Sequence, residues 1–349
     1  MKPILEIKDL KVYYQLSKGF FQKSKQTIKA VNKVSLNIPK GQTIGLVGES
    51  GCGKTTLGRT ILNLVQPTSG QIYFYKDQEK IDLTSLEAKK WKTLRKHIQM
   101  IFQDPYTSLN PRMTIRDIIA EPLVNLKIYP KKEINDKVEE IATRCNLHLS
   151  HLSRFPHTFS GGQRQRVAIA RALILKPDFI VCDEPVSALD VSTQADILNL
   201  LTEFKLDFDL TYLFIGHDLS VVAYISDVIA VMYKGRLVET GPTDQIFTTP
   251  KHPYTQLLLS SVPAIDQRNL IQDQEITIFE RNDLTLGEKS CPFLPRCPYG
   301  ETICLNQEPE LIPISSERFV ACHLFSSSQF DQSTIAQPEE RPHATTLSH

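Results

Sequence analysis

TIGLVGESGCGKTTLGRTILNLV, residues 43–65, runs from a short apolar stretch with β-branched residues into a glycine-rich loop, then into a segment whose apolar residues recur at helical spacing. Its centre, GESGCGKT (Gly48 to Thr55), fits the phosphate-loop pattern G-x-x-x-x-G-K-[ST] in the strand-loop-helix context that the pattern requires. Glycines let the backbone wrap so that successive N–H groups and the helix N-terminus point at phosphate oxygens. Lys54 is then placed to reach terminal phosphates, and Thr55 to offer a hydroxyl to Mg²⁺.

Outward from this unit, strands and helices alternate up to about residue 260. DFIVCDE (178–184) and LTYLFIGHD (210–218) are further buried-strand patterns, each followed by a helix-like stretch. Such alternation predicts an α/β fold with a parallel sheet covered on both faces. From roughly 115 to 175 the pattern turns helical, so a helical subdomain is expected to interrupt the sheet. Periodicity fades after HPYTQLLLSSVP (252–263), and the Ser-, Gln-, Pro- and Thr-rich residues 326–349 are expected to form a disordered tail.

Two other places carry chemistry. In FIVCDEP an apolar strand delivers Asp183 and Glu184 side by side at its end. The first carboxylate can hold Mg²⁺ through water, and the second can orient and deprotonate an attacking water. In FSGGQRQRVAIARAL (159–173), Ser160 can cap a helix that opens with Gly161 and Gly162, and such an end favours an anion. One nucleotide already has its phosphate loop, so a second anion-binding helix makes most sense if it completes a partner's site.

With 349 residues, 41% of them hydrophobic and 23% charged, the chain can bury a full core and a smaller second domain. Forty basic against 39 acidic residues give a net charge of +1, and nothing global points to a nucleic-acid backbone. The N-terminal MKPILEIK is interrupted by charge and has no signal-peptide core, and no 18-residue apolar run occurs anywhere. The expectation is a cytoplasmic protein that meets a membrane only through a partner.

The phosphate loop, Gln103, SGGQ, DEP, SALD (187–190) and the lone histidine of IGHD resemble, in order and approximate spacing, an ATP-binding-cassette ATPase over about residues 4–250. More narrowly, FQDPYTSLNPRM (102–113), HPYTQLLLSSVP and a cysteine-rich tail resemble the ATPase subunits of bacterial oligopeptide and dipeptide importers, with their nickel and glutathione relatives. The stretch QLSKGFFQKSKQTIKAV resembles the second of the two ATPases that such importers use.

This resemblance implies an ABC-type nucleotide-binding domain over 1–255, a RecA-like parallel sheet core with an antiparallel β subdomain and a helical subdomain. A small cysteine-containing domain over 256–325 would follow. Two cassettes would pack head to tail, each ATP lying between Gly48, Ser50, Gly51, Gly53, Lys54, Thr55 and Thr56 of one and Ser160, Gly161, Gly162 and Gln163 of the other. Glu184 would be the general base, His217 would contact the γ-phosphate and the water, and Asp190 would lie in the loop passing the dimer axis. Tyr14, or else Tyr13, would stack on adenine. Gln103, with Thr55 and Asp183, would serve Mg²⁺, while Asp104 to Met113 would form a groove for a short helix of one of two membrane permeases. An extracytoplasmic peptide-binding protein would take part indirectly, and nucleic acid is not expected as a partner. The competing expectations are a soluble cassette ATPase working on nucleic acid or ribosomes, and a non-catalytic module. Against the first stand the neutral charge, a single cassette and no long coiled-coil insertion; against the second, Lys54, Glu184 and His217 are all present.

Of seven cysteines, Cys52, Cys145 and Cys182 sit inside strand or helix patterns, whereas Cys291, Cys297, Cys304 and Cys322 crowd into the last sixth of the chain. The intervals of these four are x5, x6 and x17, unlike the C-x2-C pairs usual for zinc. Spacing leaves a metal cluster, zinc and unliganded thiols open; the resemblance implies a four-iron, four-sulfur cluster as a structural staple. His323 beside Cys322 is a spare ligand candidate.

Overall fold

A computed structural model of the protein describes residues 2–17, 25–77, 79–127, 129–261, 287 and 289–325. Residues 262–286 of the expected C-terminal domain and the expected tail at 326–349 lie outside the described residues. The chain builds two sheets. β1 (Pro3–Ser17), β2 (Lys25–Pro39), β4 (Ser69–Lys76) and β5 (Glu79–Asp82) form an antiparallel sheet in the order β2-β1-β4-β5. The larger sheet takes β3 (Thr43–Val47), β6 (Ile98–Ile101), β7 (Phe179–Asp183), β8 (Thr211–Ile215), β9 (Val228–Tyr233) and β10 (Arg236–Pro242). Two short strands, β11 (Ile312–Pro313) and β12 (Phe319–Val320), complete it in the order β11-β12-β10-β9-β3-β8-β7-β6.

From β9 through β3, β8 and β7 to β6 the pairing is parallel. All five residues of β3, β7 and β8 are buried, which is why these strands are near-continuous apolar runs rather than alternating ones. Strand alternation divides each between two cores. Phe179 and Val181 join Leu46, Leu57 and the antiparallel sheet, while Ile180 and Cys182 join the helices Ile115–Leu126, Lys131–Arg144, Gly161–Leu173 and Val191–Phe208 on the other side. These helices include the ones expected over 115–175. Among the described residues, no helix is long and apolar enough to cross a membrane.

The sequence pattern fades after residue 260, yet the chain returns to the sheet: Glu239 pairs with Val320, and Thr240 with Phe319. A buried ion pair secures the return. Arg318 Nη2 donates to Glu239 Oε1 at 2.7 Å, and the Glu239 carboxylate also accepts the N–H groups of Lys251 and His252 at 2.9 Å each. A fully buried carboxylate is tolerable only with such charge-assisted partners.

His252 in turn caps the helix Pro253–Ser260, its Nδ1 accepting from Tyr254 N at 3.0 Å. Burial holds the ring neutral and pushes its pKa down from the usual histidine value to about 3. Protonation would turn the capping acceptor into a donor facing the positive end of the helix. Because the unfolded chain binds this proton more readily, His252 contributes stability that is fully present above about pH 6.5 and is lost as pH falls toward 3. The expected loss over that window is up to about 1.4 kcal/mol per pH unit. Urea unfolding measured from pH 7 to pH 4 should show a shallower acid loss in His252→Asn, which can still cap but does not titrate; equal slopes would exclude this account.

Candidate functional site

The loops that follow β3, β6, β7 and β8 leave the same edge of the larger sheet, the C-terminal edge of its parallel strands. Gly48–Gly53 follows β3 and leads into the helix Lys54–Ile61. Gly48 and Gly53 have φ of 149° and 110°, and a Cβ on either would meet a backbone oxygen, Met232 O at 2.1 Å or Ala30 O at 2.0 Å. Gly51, at φ 76°, has open space around it, and it stands exposed with Ser50 at the crest of the loop. Lys54 is only 5% exposed; its Nζ donates to Gly48 O at 2.7 Å and Glu49 O at 3.0 Å, so the ammonium is held within the loop's curve.

Thr55 Oγ1 donates to Asp183 Oδ1 at 2.8 Å, joining the loop after β3 to the end of β7. Asp183 has no exposed surface, and burial raises its pKa against the opposing hydrogen bond from Thr55. Its Oδ2 is buried without a partner among the described residues. A hard divalent cation is the group that such an orphaned oxygen beside a threonine hydroxyl suits, so these residues fit Mg²⁺. Thr56, one residue further on, is half-buried, and its carbonyl accepts from Thr60.

Glu184 is the convergence point. Its Oε2 accepts from Gln103 Nε2 at 2.9 Å and lies 3.1 Å from His217 Nδ1. Gln103 comes from the end of β6 and His217 from the turn after β8, so three neighbouring strands each deliver one side chain. Gln103 therefore bonds to Glu184, and no hydrogen bond takes it to the Thr55–Asp183 pair among the described residues. Beyond it, Asp104 caps the turn Pro105–Ser108, which is fixed to the Gly161–Leu173 helix: Arg171 Nη1 donates to Ser108 O at 2.7 Å, and the Arg164 guanidinium lies 3.9 Å from the Tyr106 ring centre.

Ser160 caps that helix in a reciprocal pair with Gln163. A Cβ on Gly162 would lie 2.4 Å from Thr193 Cγ2, and one on Gly161 would touch Leu189, so both glycines permit close approach of the segment after SALD. Asp190 caps the Val191–Phe208 helix, and hydrogen bonds from Ser192 and Thr193 hold its carboxyl far below the usual range. No hydrogen bond joins Ser160–Gln163 to the phosphate loop among the described residues. Tyr14 is 41% exposed, whereas the Tyr13 hydroxyl is engaged by the Asn32 side chain at 2.6 Å, leaving Tyr14 the freer ring.

The ABC transporter family model matches residues 31–187, and that of the oligopeptide/dipeptide transporter C-terminal region matches 238–304. The oligopeptide transport ATP-binding protein AppF of Bacillus subtilis is 50% identical over 324 residues, which cover 93% of this chain and 98% of that protein. The chain belongs to the ABC transporter ATP-binding proteins of the oligopeptide/dipeptide type. OppF of Salmonella typhimurium is 44% identical over 89% of this chain and 93% of its own length, and the dipeptide transport protein DppF of Haemophilus influenzae is 44% identical over 92% and 96%. Among solved structures, the ATP-binding cassette MJ0796, a dimer in a post-hydrolysis state bound to ADP and Pi, matches with TM-score 0.60 and 28% identity, covering 68% of this chain and 98% of that one. CbiO1 of Clostridium perfringens, part of an ABC transporter complex, matches with TM-score 0.59 and 27% identity over 71% and 92%.

Within this ABC-type chain the cysteine expectation needs correction. Cys291, Cys297, Cys304 and Cys322 do line one small cavity together with Phe293 and Leu294. Among the described residues, however, no group of three or more Cys, His, Asp or Glu side chains is disposed to hold a metal ion, and the relatives AppF and OppF are known as oligopeptide transport ATP-binding proteins, not as iron-sulfur proteins. In the metal-free chain, burial pushes the Cys291 thiol up to about 11 and the Cys322 thiol up to about 12. Neither the iron-sulfur cluster nor its zinc alternative is supported, and His323, the spare ligand candidate, instead meets Gln307 O at 2.9 Å.

Sequence reasoning also missed three residues around the loop: Glu49 and its partners Tyr254 and Arg296. Tyr254 was visible only as part of HPYTQLL, and nothing local marked Arg296. The loop geometry separates two glycine substitutions in an ABC-type chain of this kind. Gly53→Ala, strained and colliding with Ala30 O, is expected to cost about 3 kcal/mol or to displace the loop, while Gly51→Ala pays only backbone strain of about 1–2 kcal/mol. Urea denaturation of both variants checks this, and equal losses would contradict it.

Proposed function

We propose that this chain is the ATP-hydrolysing, energy-coupling subunit of an importer for oligopeptides, dipeptides or related small solutes. The observation that carries the reading is the meeting of Gln103 and His217 on Glu184 beside a lysine-centred phosphate loop. Lys54 and the loop N–H groups take the β- and γ-phosphates, and Tyr14 stacks on adenine. Mg²⁺ would be held by Thr55 and Asp183, with Gln103 nearby, and supplies charge neutralisation on the phosphate oxygens.

Glu184, as general base, accepts a proton from the water that attacks the γ-phosphorus. The new P–O bond forms to that water as the bond to the β,γ-bridging oxygen breaks, and ADP carries the electron pair away. His217, sharing the Glu184 carboxylate and 57% exposed as a side chain, orients the water and the γ-phosphate. The capped N-terminus at Ser160, Gly161, Gly162 and Gln163, exposed at Ser160 and Gln163, serves the nucleotide of a second cassette, with Asp190 near the dimer axis.

ATP binding closes the cassette pair, and hydrolysis with release reopens it. The second cassette is taken to be a sister ATPase, giving a heterodimer. Two membrane permeases carry the solute, and an extracytoplasmic peptide-binding protein delivers it. The chain would sit peripherally on the cytoplasmic face of the bacterial plasma membrane, one permease helix docking against Asp104 to Met113. The fixing of this segment to the Ser160 helix supports that placement, since a movement at Gln103 is passed to both. The relatives, oligopeptide and dipeptide transport ATP-binding proteins, favour this reading over a soluble cassette acting on nucleic acid or ribosomes. We divide the chain into a cassette over 1–255, with its helical part at about 115–175, and a C-terminal domain over 256–325.

Glu184→Gln is expected to lower ATP turnover by about 10²-fold or more while nucleotide binding survives. Lys54→Ala should lose binding itself. Gln103→Ala should keep ATP binding but uncouple hydrolysis from uptake of a labelled peptide in a reconstituted importer. Full turnover in Glu184→Gln would refute the assignment of the base, and undiminished coupled uptake in Gln103→Ala that of the link.

A further inference from the structure

Glu49, inside the phosphate loop, is gripped at three of its groups. Its N–H donates to the Tyr254 hydroxyl at 2.9 Å, its carbonyl accepts from Lys54 Nζ at 3.0 Å, and its carboxylate pairs with Arg296 Nη1 at 2.8 Å. Two of these partners lie far outside the loop. Tyr254 belongs to the helix Pro253–Ser260, and Arg296 ends the short turn Leu294–Arg296, 247 positions along the chain from Glu49.

Both partners stand on one aromatic cluster. Tyr254 is fully buried, its ring centre 4.5 Å from that of Tyr233 on β9 and 5.6 Å from that of Phe293. The Arg296 guanidinium lies 5.9 Å from the centre of the same Phe293 ring. Phe293 therefore joins the C-terminal segment, the helix and the sheet at one point, and from there two polar groups reach a single residue of the loop.

A loop that gathers phosphate works through positive charge and inward N–H groups. Glu49 departs on both counts: its carboxylate is a negative charge on the loop, and its N–H is given to the Tyr254 hydroxyl. Arg296 cancels the charge, which unpaired would oppose an incoming phosphate. The phenolic oxygen of Tyr254 takes the N–H and so fixes the direction in which the peptide enters the curve.

We propose that Tyr254, at the end of the cassette, and Arg296, in the C-terminal domain, are positioning residues that set the shape and charge of the phosphate loop, and with them the affinity for ATP. The proposal rests on the nucleotide-binding reading of Gly48–Thr55. Each acts through Glu49.

The test uses the full-length chain, with binding of a fluorescent ATP analogue and steady-state ATPase as readouts. Arg296→Gln is expected to weaken binding about two- to fivefold at low salt and less at high salt, raising KM more than it lowers kcat. Adding Glu49→Gln to Arg296→Gln should restore the affinity, because the charge to be cancelled is gone. Tyr254→Phe keeps the ring and loses only the acceptor; it should weaken binding by roughly fivefold and should not be rescued by Glu49→Gln. Wild-type affinity in both Arg296→Gln and Tyr254→Phe, while Lys54→Ala loses binding, overturns the proposal. So does a weakened Arg296→Gln that Glu49→Gln fails to restore. Binding in Lys54→Ala as tight as in the wild type instead overturns the nucleotide reading beneath it.

Discussion

The hydrogen bond from Thr55 to the wholly buried Asp183 is the constraint around which the site is organised. A carboxylate without exposed surface is costly unless it is partnered, and Asp183 has one satisfied oxygen and one orphan. The satisfied oxygen binds the first helical turn after the glycine loop to the end of a strand two places away in the sheet. Once that distance is fixed, the next residue, Glu184, must emerge beside the loop, and its neighbours from β6 and β8 must emerge beside it. The parallel core supplies the rest: its strands end on one edge, and packing on both faces leaves them little freedom to slide.

Much of this was legible in the chain because the signals were local. Apolar runs marked β3, β7 and β8, and serine before two glycines marked the capped start at residue 160, with Gln163 completing the cap. The glycines of the loop were equally plain, since positive φ and missing room at Gly48 and Gly53 leave no alternative residue. Less legible were features that depend on distant partners. β12 has only two residues and no periodicity to show, and it exists because the Arg318–Glu239 pair holds it to β10. Arg296 has nothing in its own neighbourhood to betray a partner in the loop.

The cysteines show the opposite failure. Four thiols do line one small space, but crowding says nothing of the geometry that a metal needs. A ligand set needs side chains disposed around one centre, and among the described residues no three are so disposed. Spacing alone could not have revealed it.

Glu184 occupies a left-handed backbone conformation, with φ 47°, that side-chain-bearing residues seldom adopt. Pro185 follows it and disfavours the ordinary helical region, while the N–H of Glu184 is committed to Ile215 O at 2.9 Å, so the strain cannot relax locally. Glycine at this position would suit the backbone better by about 1 kcal/mol or more. A search for sturdier versions of this protein, judged by folding alone, would therefore drift toward discarding the one carboxylate on which Gln103 and His217 converge.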